Sequence, residues 1–204
     1  MMGRSCCHPK RGLIVLALLL LTCGCSCGGD QEPLFEDDFG NSRSGWGADH
    51  REELDRGYED GEYFFELHEP YWFAWTQAGK KFDDVQVEVD VYLAPDSPDG
   101  YFGVLCRHVD VDNFYYFAIG ADGYYAIFRR EDGRDLEVLT GDGSGMIPSP
   151  AIRTGGQTNR IRAVCQGDTL SLYVNGEMLE TVTDDAHTQG QVGIGAGSGP
   201  ESDV

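Results

Sequence analysis

Apolar and polar residues alternate in short segments along most of the chain. The clearest segment is 85–93, where four valines at every second position are separated by Gln86, Glu88, Asp90 and Tyr92. A period of two places successive side chains on opposite faces of a β-strand, so one face of this strand is predicted to be buried. The same reasoning predicts strands at residues 34–39, 62–67, 72–77, 101–108, 114–119, 124–129, 136–139, 160–165, 170–174, 178–182 and 191–196.

Turn-forming residues separate these segments. Asn175-Gly176 joins two of them and predicts a hairpin with a type I′ turn. Glu69-Pro70 and Asp122-Gly123 are further breaks. We find no amphipathic helical pattern. Many short strands with frequent turns are typical of an all-β domain, and we predict a two-sheet antiparallel β-sandwich or jelly roll.

The first residues have the pattern of a targeting segment. Arg4, Lys10 and Arg11 precede an apolar run from Leu13 to Leu21, which is shorter than the roughly 20 residues that cross a bilayer as a helix. The cluster at residues 22–27 that follows resembles the lipobox of bacterial lipoproteins. There a small residue precedes a cysteine that receives the lipid.

Cys25 is the predicted lipidated residue because the small residue Gly24 precedes it. Cys23 and Cys27 are alternatives, and so is an ordinary secretory signal without lipid. We therefore divide the chain into a signal peptide at 1–24, a tether at 25–33 and one domain at 34–204. The expected location is the extracytoplasmic side of a membrane, with the lipid as the anchor.

The chain is strongly acidic, with 35 Asp and Glu against 15 Lys and Arg and a net charge of −20. Residues 1–24 hold three basic and no acidic side chains, so the charge of the rest is −23. Nucleic acid is therefore not an expected partner, since its binding requires clustered Lys and Arg. Anionic lipid is disfavoured for the same reason, which leaves the lipid anchor as the membrane contact. The acidic residues promote solubility, and calcium binding is the alternative.

Only two of the seven cysteines, Cys106 and Cys165, lie in the predicted domain. A pair of this kind in an exported domain most simply forms a disulfide. It would close a loop of about 60 residues and stabilise the fold by roughly 3–4 kcal/mol. Zinc is less favoured, because a structural site needs four ligands and the five histidines (8, 50, 68, 108 and 187) are scattered.

From Phe35 onward the chain resembles the concanavalin A-like jelly-roll superfamily, in particular its laminin G-like and 3-keto-disaccharide-hydrolase-like bacterial branches. The resemblance lies in 34–39 with Ser44-Gly45-Trp46, in 85–93, in 103–107 and 112–117, in 159–165 and 170–176, and in 190–197. It implies a fold more specifically than a function, because one fold carries many activities. Related chains continue into a last strand, so either this sequence is a fragment or its fold lacks that strand.

A carbohydrate site is predicted on the outer face of the strands. If Cys106 faces the core, Tyr101 and Arg107 face outward, and the same alternation turns Glu88 and Asp90 away from the buried valines. Aromatic rings stack on the C–H faces of sugars, and planar charged groups bind hydroxyls. The predicted ligand-binding residues are Arg107, Glu88, Asp90, Tyr101, Tyr115, Tyr125, Trp72 and Trp75. The alternative for each is ordinary packing.

We therefore predict a surface-anchored, non-catalytic carbohydrate-binding domain, with a glycan or another envelope component as its partner. One alternative is a glycoside or 3-keto-glycoside hydrolase, although the superfamily's glucanase motif Glu-x-Asp-x-x-Glu is absent from the sequence. The other is a structural or protein-interaction domain of the envelope. No cofactor is predicted. Calcium is the alternative, with turn residues Asp96, Asp99, Asp110 and Asp112 as ligands at one end of neighbouring strands, where laminin G-like domains hold the ion.

Overall fold

The computed structural model describes the backbone of residues 17–21 and all of residues 33–92, 94, 97 and 99–200. Every regular element in this part of the chain is a β-strand. No helix among these residues is long and apolar enough to span a membrane. The strands are β1 (Ala17–Leu21), β2 (Phe35–Asp37), β3 (Asp49–His50), β4 (Leu54–Glu59), β5 (Glu62–Leu67), β6 (Phe73–Phe82), β7 (Val85–Tyr92), β8 (Tyr101–Asp110), β9 (Asn113–Gly120), β10 (Tyr124–Arg130), β11 (Glu137–Val138), β12 (Ile147–Pro148), β13 (Thr158–Gln166), β14 (Thr169–Val174), β15 (Glu177–Thr183) and β16 (Gly190–Gly197).

The strands form two large sheets and one small sheet. The back sheet has the order β15-β14-β13-β7-β1-β2, and the front sheet has the order β11-β10-β9-β8-β16-β6, with β12 paired to β10. The side sheet has the order β3-β4-β5. Neighbouring strands are antiparallel throughout these sheets. The predicted all-β sandwich is confirmed.

The core lies between the back and front sheets. In β7 the valines are at most 1% exposed while the residues between them are half-buried, so the predicted alternation is confirmed. Phe117 of β9 and Ile161 of β13 are fully buried in the same core. Cys106 of the front sheet and Cys165 of the back sheet form the predicted disulfide, with their Cα atoms 6.8 Å apart. The bond therefore joins the two layers across the core.

The β14–β15 hairpin also follows the sequence pattern. Asn175 and Gly176 have φ angles of 52° and 90°, the positive values that a type I′ turn requires at both central residues. In contrast, β3 and β4 were not predicted. The sequence hides the period of β4 because the buried position 57 is a glycine and the charged residues Asp55 and Arg56 are partly buried.

The first strand comes from the apolar segment that the sequence assigns to the signal peptide. Leu19 pairs with Glu36 of β2 on one side and with Glu88 of β7 on the other. Cys25 and its alternatives Cys23 and Cys27 lie outside the described residues. The signal peptide, the lipid anchor and the extracytoplasmic location therefore stay predictions.

Candidate functional site: an aromatic face on the front sheet

Aromatic rings cover the outer surface of the front sheet, on the side opposite the core. Phe73 stacks on Trp75 with 5.3 Å between ring centroids, and Tyr101 lies nearly parallel to Phe73 at 6.4 Å. Beneath them lie Phe114 and Tyr116, whose centroids are 6.2 and 4.8 Å from that of Phe73. The lower rings are fully buried, whereas Phe73, Trp75 and Tyr101 are half-buried. The upper rings therefore offer the accessible apolar surface.

Glycines in β16 explain why the rings can lie flat over this strand. A Cβ added at Gly197 would come within 2.0 Å of Cζ of Tyr101. One added at Gly195 would lie 3.2 Å from Cβ of Trp75 and 3.3 Å from Cε2 of Phe73. Any side chain at these positions would push the rings away from the sheet. The aromatic side chains therefore pack directly on the backbone of the glycine-rich strand.

A histidine lies at one edge of these rings. His108 stacks on Phe114 with 5.6 Å between centroids. Its Nε2 accepts hydrogen bonds from the indole Nε1 of Trp75 and the amide Nε2 of Gln77, both at 3.1 Å. Because these two groups donate, the proton of the neutral imidazole is on Nδ1. Burial lowers the pKa of His108, so the neutral form is favoured.

We call the five residues Phe73, Trp75, Gln77, Tyr101 and His108 the aromatic face. They combine a ring surface with two polar groups, the Gln77 amide and the imidazole Nδ1, which is buried and has no protein partner. This is the combination found in small-molecule sites, where apolar walls carry a few oriented polar groups.

The family comes from a direct comparison of sequences. The model of the 3-keto-alpha-glucoside-1,2-lyase-like domain matches residues 30–201. The chain belongs to this family. This match, together with the fold, confirms the expected resemblance to the concanavalin A-like superfamily and its 3-keto-disaccharide-hydrolase-like branch. The domain is therefore a carbohydrate-related jelly roll. None of the curated proteins compared with the chain matches it.

Solved structures add support for the fold. The carbohydrate-binding module CBM66 from Bacillus subtilis is 16% identical over 69% of this chain and 84% of its own, with a TM-score of 0.55. A family 16 endo-glucanase from Bacteroides ovatus is 12% identical over 82% of this chain and 87% of its own, also with a TM-score of 0.55. At these identities the likeness shows a shared jelly-roll fold.

The lyase-like domain brings only some of the predicted ligand-binding residues together. Trp75 and Tyr101 lie on the aromatic face, as expected. Trp72 precedes β6, is 37% exposed, and has its backbone N–H bound to Oγ of Ser198. Phe73, Gln77 and His108 were missed as site residues. The alternation of Phe73, Trp75 and Gln77 in β6 was a usable signal for two of them.

The prediction that Tyr115 and Tyr125 face outward is wrong. Both side chains lie in the core between the sheets. The Tyr115 hydroxyl donates to Oδ1 of Asp184 at 2.5 Å and accepts from the His187 backbone at 3.1 Å. The Tyr125 hydroxyl donates to the Leu179 carbonyl in the back sheet at 3.2 Å. All residues of β9 from Phe114 to Gly120 are buried, so the sequence did not show which set faces inward.

Arg107 is also misplaced by the sequence argument. A register shift between Cys106 and Asp110 and a φ of 51° at Arg107 interrupt the alternation of β8. The guanidinium is 1% exposed and donates to the carbonyls of Asp83 at 3.1 Å and His187 at 3.0 Å. It therefore ties two connecting loops to the front sheet and is not part of the aromatic face.

Glu88 and Asp90 lie on the other side of the sandwich. Both face outward as predicted, but their strand β7 belongs to the back sheet. Asp90 accepts from Nε of Arg160 at 2.7 Å, and Glu88 accepts from Gln86 at 3.2 Å. Alternation identified the outward side chains but not the sheet to which each strand belongs. Their predicted place beside Tyr101 is therefore wrong.

The four aspartates proposed for calcium do not lie at one end. Asp99 precedes β8 and Asp110 ends it, which separates them by roughly 36 Å at about 3.3 Å per residue. Oδ1 of Asp110 accepts from the Asp112 N–H and from Asn113 Nδ2, both at 2.9 Å, as in an ordinary turn. Asp96 lies outside the described residues. Calcium binding itself stays a prediction.

A separate cavity of about 350 Å³ opens at one end of the sandwich. It lies between the loop before β8, the β9–β10 turn and the loop before β13. Its polar lining includes Asp122, Arg153 and Gln157. The sequence did not suggest it, because the three loops are far apart along the chain.

Proposed function

We propose that this lyase-like domain is a surface-anchored, non-catalytic carbohydrate-binding module whose sugar lies on the aromatic face. The observation that carries the proposal is the half-buried set of Phe73, Trp75 and Tyr101 beside the polar groups of Gln77 and His108. The rings would stack against C–H groups of a sugar ring, and the half-buried Gln77 amide would bind a hydroxyl.

Prior positioning of the side chains supports this proposal. Trp75 is fixed by its neighbour Phe73 and by its hydrogen bond to His108, and Gly195 leaves the room in which it lies. Groups fixed before binding lose little entropy when a ligand arrives.

A second candidate is catalysis on 3-keto-glycosides, and the family's description favours it. A 1,2-elimination needs a base that takes the C2 proton and an acid that protonates the departing oxygen. His108 is the histidine that is hydrogen-bonded to Trp75 of the aromatic face. Its Nε2 is already occupied by two donors and its Nδ1 carries a proton, so it is arranged as a donor and not as a base. This arrangement makes binding the stronger proposal.

The first experiment is a glycan-array screen of the purified protein, with and without calcium. We expect a reproducible sugar signal that falls at least tenfold in Trp75→Ala. Tyr173→Ala is the matched control, because Tyr173 is a half-buried ring on the back sheet, 3.9 Å from the Arg162 guanidinium. A blank array from folded, disulfide-bonded protein would favour a protein partner or a structural role. A signal kept in Trp75→Ala would move the site to another surface, with the end cavity tested next.

The enzymatic candidate needs its own assay. Incubation with a 3-keto-glucoside and analysis of the products by mass spectrometry would detect elimination or hydrolysis. We expect no turnover above that of the heat-denatured protein. Turnover that His108→Gln abolishes while the array signal remains would replace the binding proposal with the catalytic one.

The anchored location rests on the sequence of residues 1–27. We expect mass spectrometry of the exported protein to find the lipid on an N-terminal Cys25, and Cys25→Ser to release the protein from the membrane. Cys27→Ser is the matched control. An unmodified N-terminus would leave an ordinary secreted domain.

A further inference from the structure

The side sheet brings together two histidines and two carboxylates that are separated in the sequence. His50 of β3 is paired with Asp55 of β4, and Asp55 is paired with Glu66 of β5. His68 follows Glu66 by two residues, so both extend from the same side of the chain. We call His50, Asp55, Glu66 and His68 the side-sheet cluster.

The distances within the side-sheet cluster are short. His50 Nδ1 lies 2.9 Å from Oδ1 of Asp55, and His68 Nε2 lies 3.4 Å from Oδ2 of the same residue. One side-chain oxygen or nitrogen from each of Asp55, Glu66 and His68 lies within 4.8 Å of the others. Ligand atoms around a tetrahedral zinc ion are roughly 3.4 Å apart when the bonds are about 2.1 Å. Small side-chain rotations would therefore bring these groups to binding distance.

The chemistry and charge of the cluster select the kind of ion. Two imidazoles with two carboxylates suit zinc and related transition ions, whereas calcium and magnesium prefer oxygen alone. The two carboxylates would balance the charge of a divalent ion. The side chains of Asp55 and His68 are 34% and 29% exposed, so an ion can reach them from solvent.

We propose that Asp55, Glu66 and His68 bind one divalent transition ion of the zinc class. His50, which is hydrogen-bonded to Asp55 but lies outside the group whose ligand atoms are within 4.8 Å of one another, would rotate to supply the fourth ligand. The site is independent of the aromatic face. The ion would replace any proton shared between Asp55 and its two histidines. It would join all three strands of the side sheet, which the hydrogen bond from Arg56 to the Trp75 carbonyl connects to β6.

Zinc binding is measured on the full chain by equilibrium dialysis at pH 7.5 after treatment with a chelator. Free thiols are first alkylated under non-reducing conditions, because the five cysteines among residues 6–27 would bind zinc themselves. We expect one ion per chain and a rise in melting temperature on adding zinc. His68→Ala and Asp55→Asn should each weaken binding at least tenfold.

Two further variants separate ligation from folding. Glu59→Gln removes one carboxylate from the exposed end of the same strand and should leave zinc binding unchanged. His50→Gln alters a side chain that is 72% exposed, so the fold should survive while the affinity falls. Cobalt in place of zinc should give visible absorption bands that His50→Gln shifts. No retained zinc, or zinc retained equally by His68→Ala and Asp55→Asn, would overturn the proposal.

Discussion

Strands β7 and β9 are both eight residues long, yet they differ in how much their sequences reveal. In β7 every second residue is buried, because one face meets the core and the other faces outward from the back sheet. In β9 seven of the eight residues are buried, because the core covers one face of the strand and the residues of the aromatic face cover the other. Alternation assigns the faces only where one side is polar. Between two apolar sides the assignment needs the structure.

The two faces of the front sheet also differ in what their polar atoms do. On the inner face, the hydroxyl of Tyr115 has two protein partners, Asp184 and His187. On the outer face, Nδ1 of His108 has no partner among the protein atoms. The Tyr115 hydroxyl on the inner face is therefore satisfied by the protein, whereas the buried Nδ1 of His108 on the outer face is not.

The largest expected effect is the loss of an inner ring. Phe117→Ala should lower the free energy of unfolding by about 3–5 kcal/mol, because Phe117 is fully buried and its removal leaves a cavity. Trp75→Ala should have a smaller effect, since its ring is half-buried, although it removes sugar binding. Urea unfolding of both variants tests the difference. Equal losses would mean that the aromatic face serves the fold as much as the core does.

The next effect concerns Arg107. Arg107→Met should destabilise the fold by roughly 2–3 kcal/mol, because it leaves the Asp83 and His187 carbonyls without their charged donor. Guanidinium unfolding measures the loss. Below the melting transition the variant should keep any array signal of the wild type. A folded Arg107→Met protein that has lost the signal would return Arg107 to the binding site.

The backbone explains why sequence analysis failed at Arg107 and succeeded nearby. Alternation from Phe102 to Cys106 holds, and the disulfide to Cys165 follows from it. The register shift after Cys106 then reverses the expected direction, and no residue type in the sequence marks it. The fold class and most strands were thus predictable from local patterns. The partners of each face were not, because they depend on which strands lie side by side.

The side-sheet cluster gives a second example of the same limit. In the sequence, 18 positions separate His50 from His68, and nothing in the sequence brings them together. Asp55 is hydrogen-bonded to both in the fold, since β3 and β5 flank β4. Glu88 and Asp90, in contrast, are close in sequence but remote from the rings they were expected to join.

A smaller effect is expected from pH. Burial holds the pKa of His108 below its usual value of about 6.5, so the unfolded chain binds a proton before the folded chain does. Stability contributed by neutral His108 is therefore complete above pH 6.5 and falls as the pH drops from there towards the folded pKa. Urea midpoints between pH 7.5 and 5 should decline less steeply in His108→Gln. An identical decline would mean that His108 is readily protonated in the fold and that its neutral form is not enforced.

The smallest effect should come from the outer face of the back sheet. Asp90 and Arg160 form an ion pair there, with side chains 27% and 59% exposed. Exposed pairs contribute about 0–1 kcal/mol because water screens them and both side chains lose freedom. Asp90→Asn should therefore change the urea midpoint little and leave any glycan signal intact, and raised salt should reduce the difference further. A lost glycan signal in a stable Asp90→Asn protein would place the binding surface on the back sheet. The contrast between the polar outer side of β7 and the aromatic side of the front sheet would then lose its functional meaning.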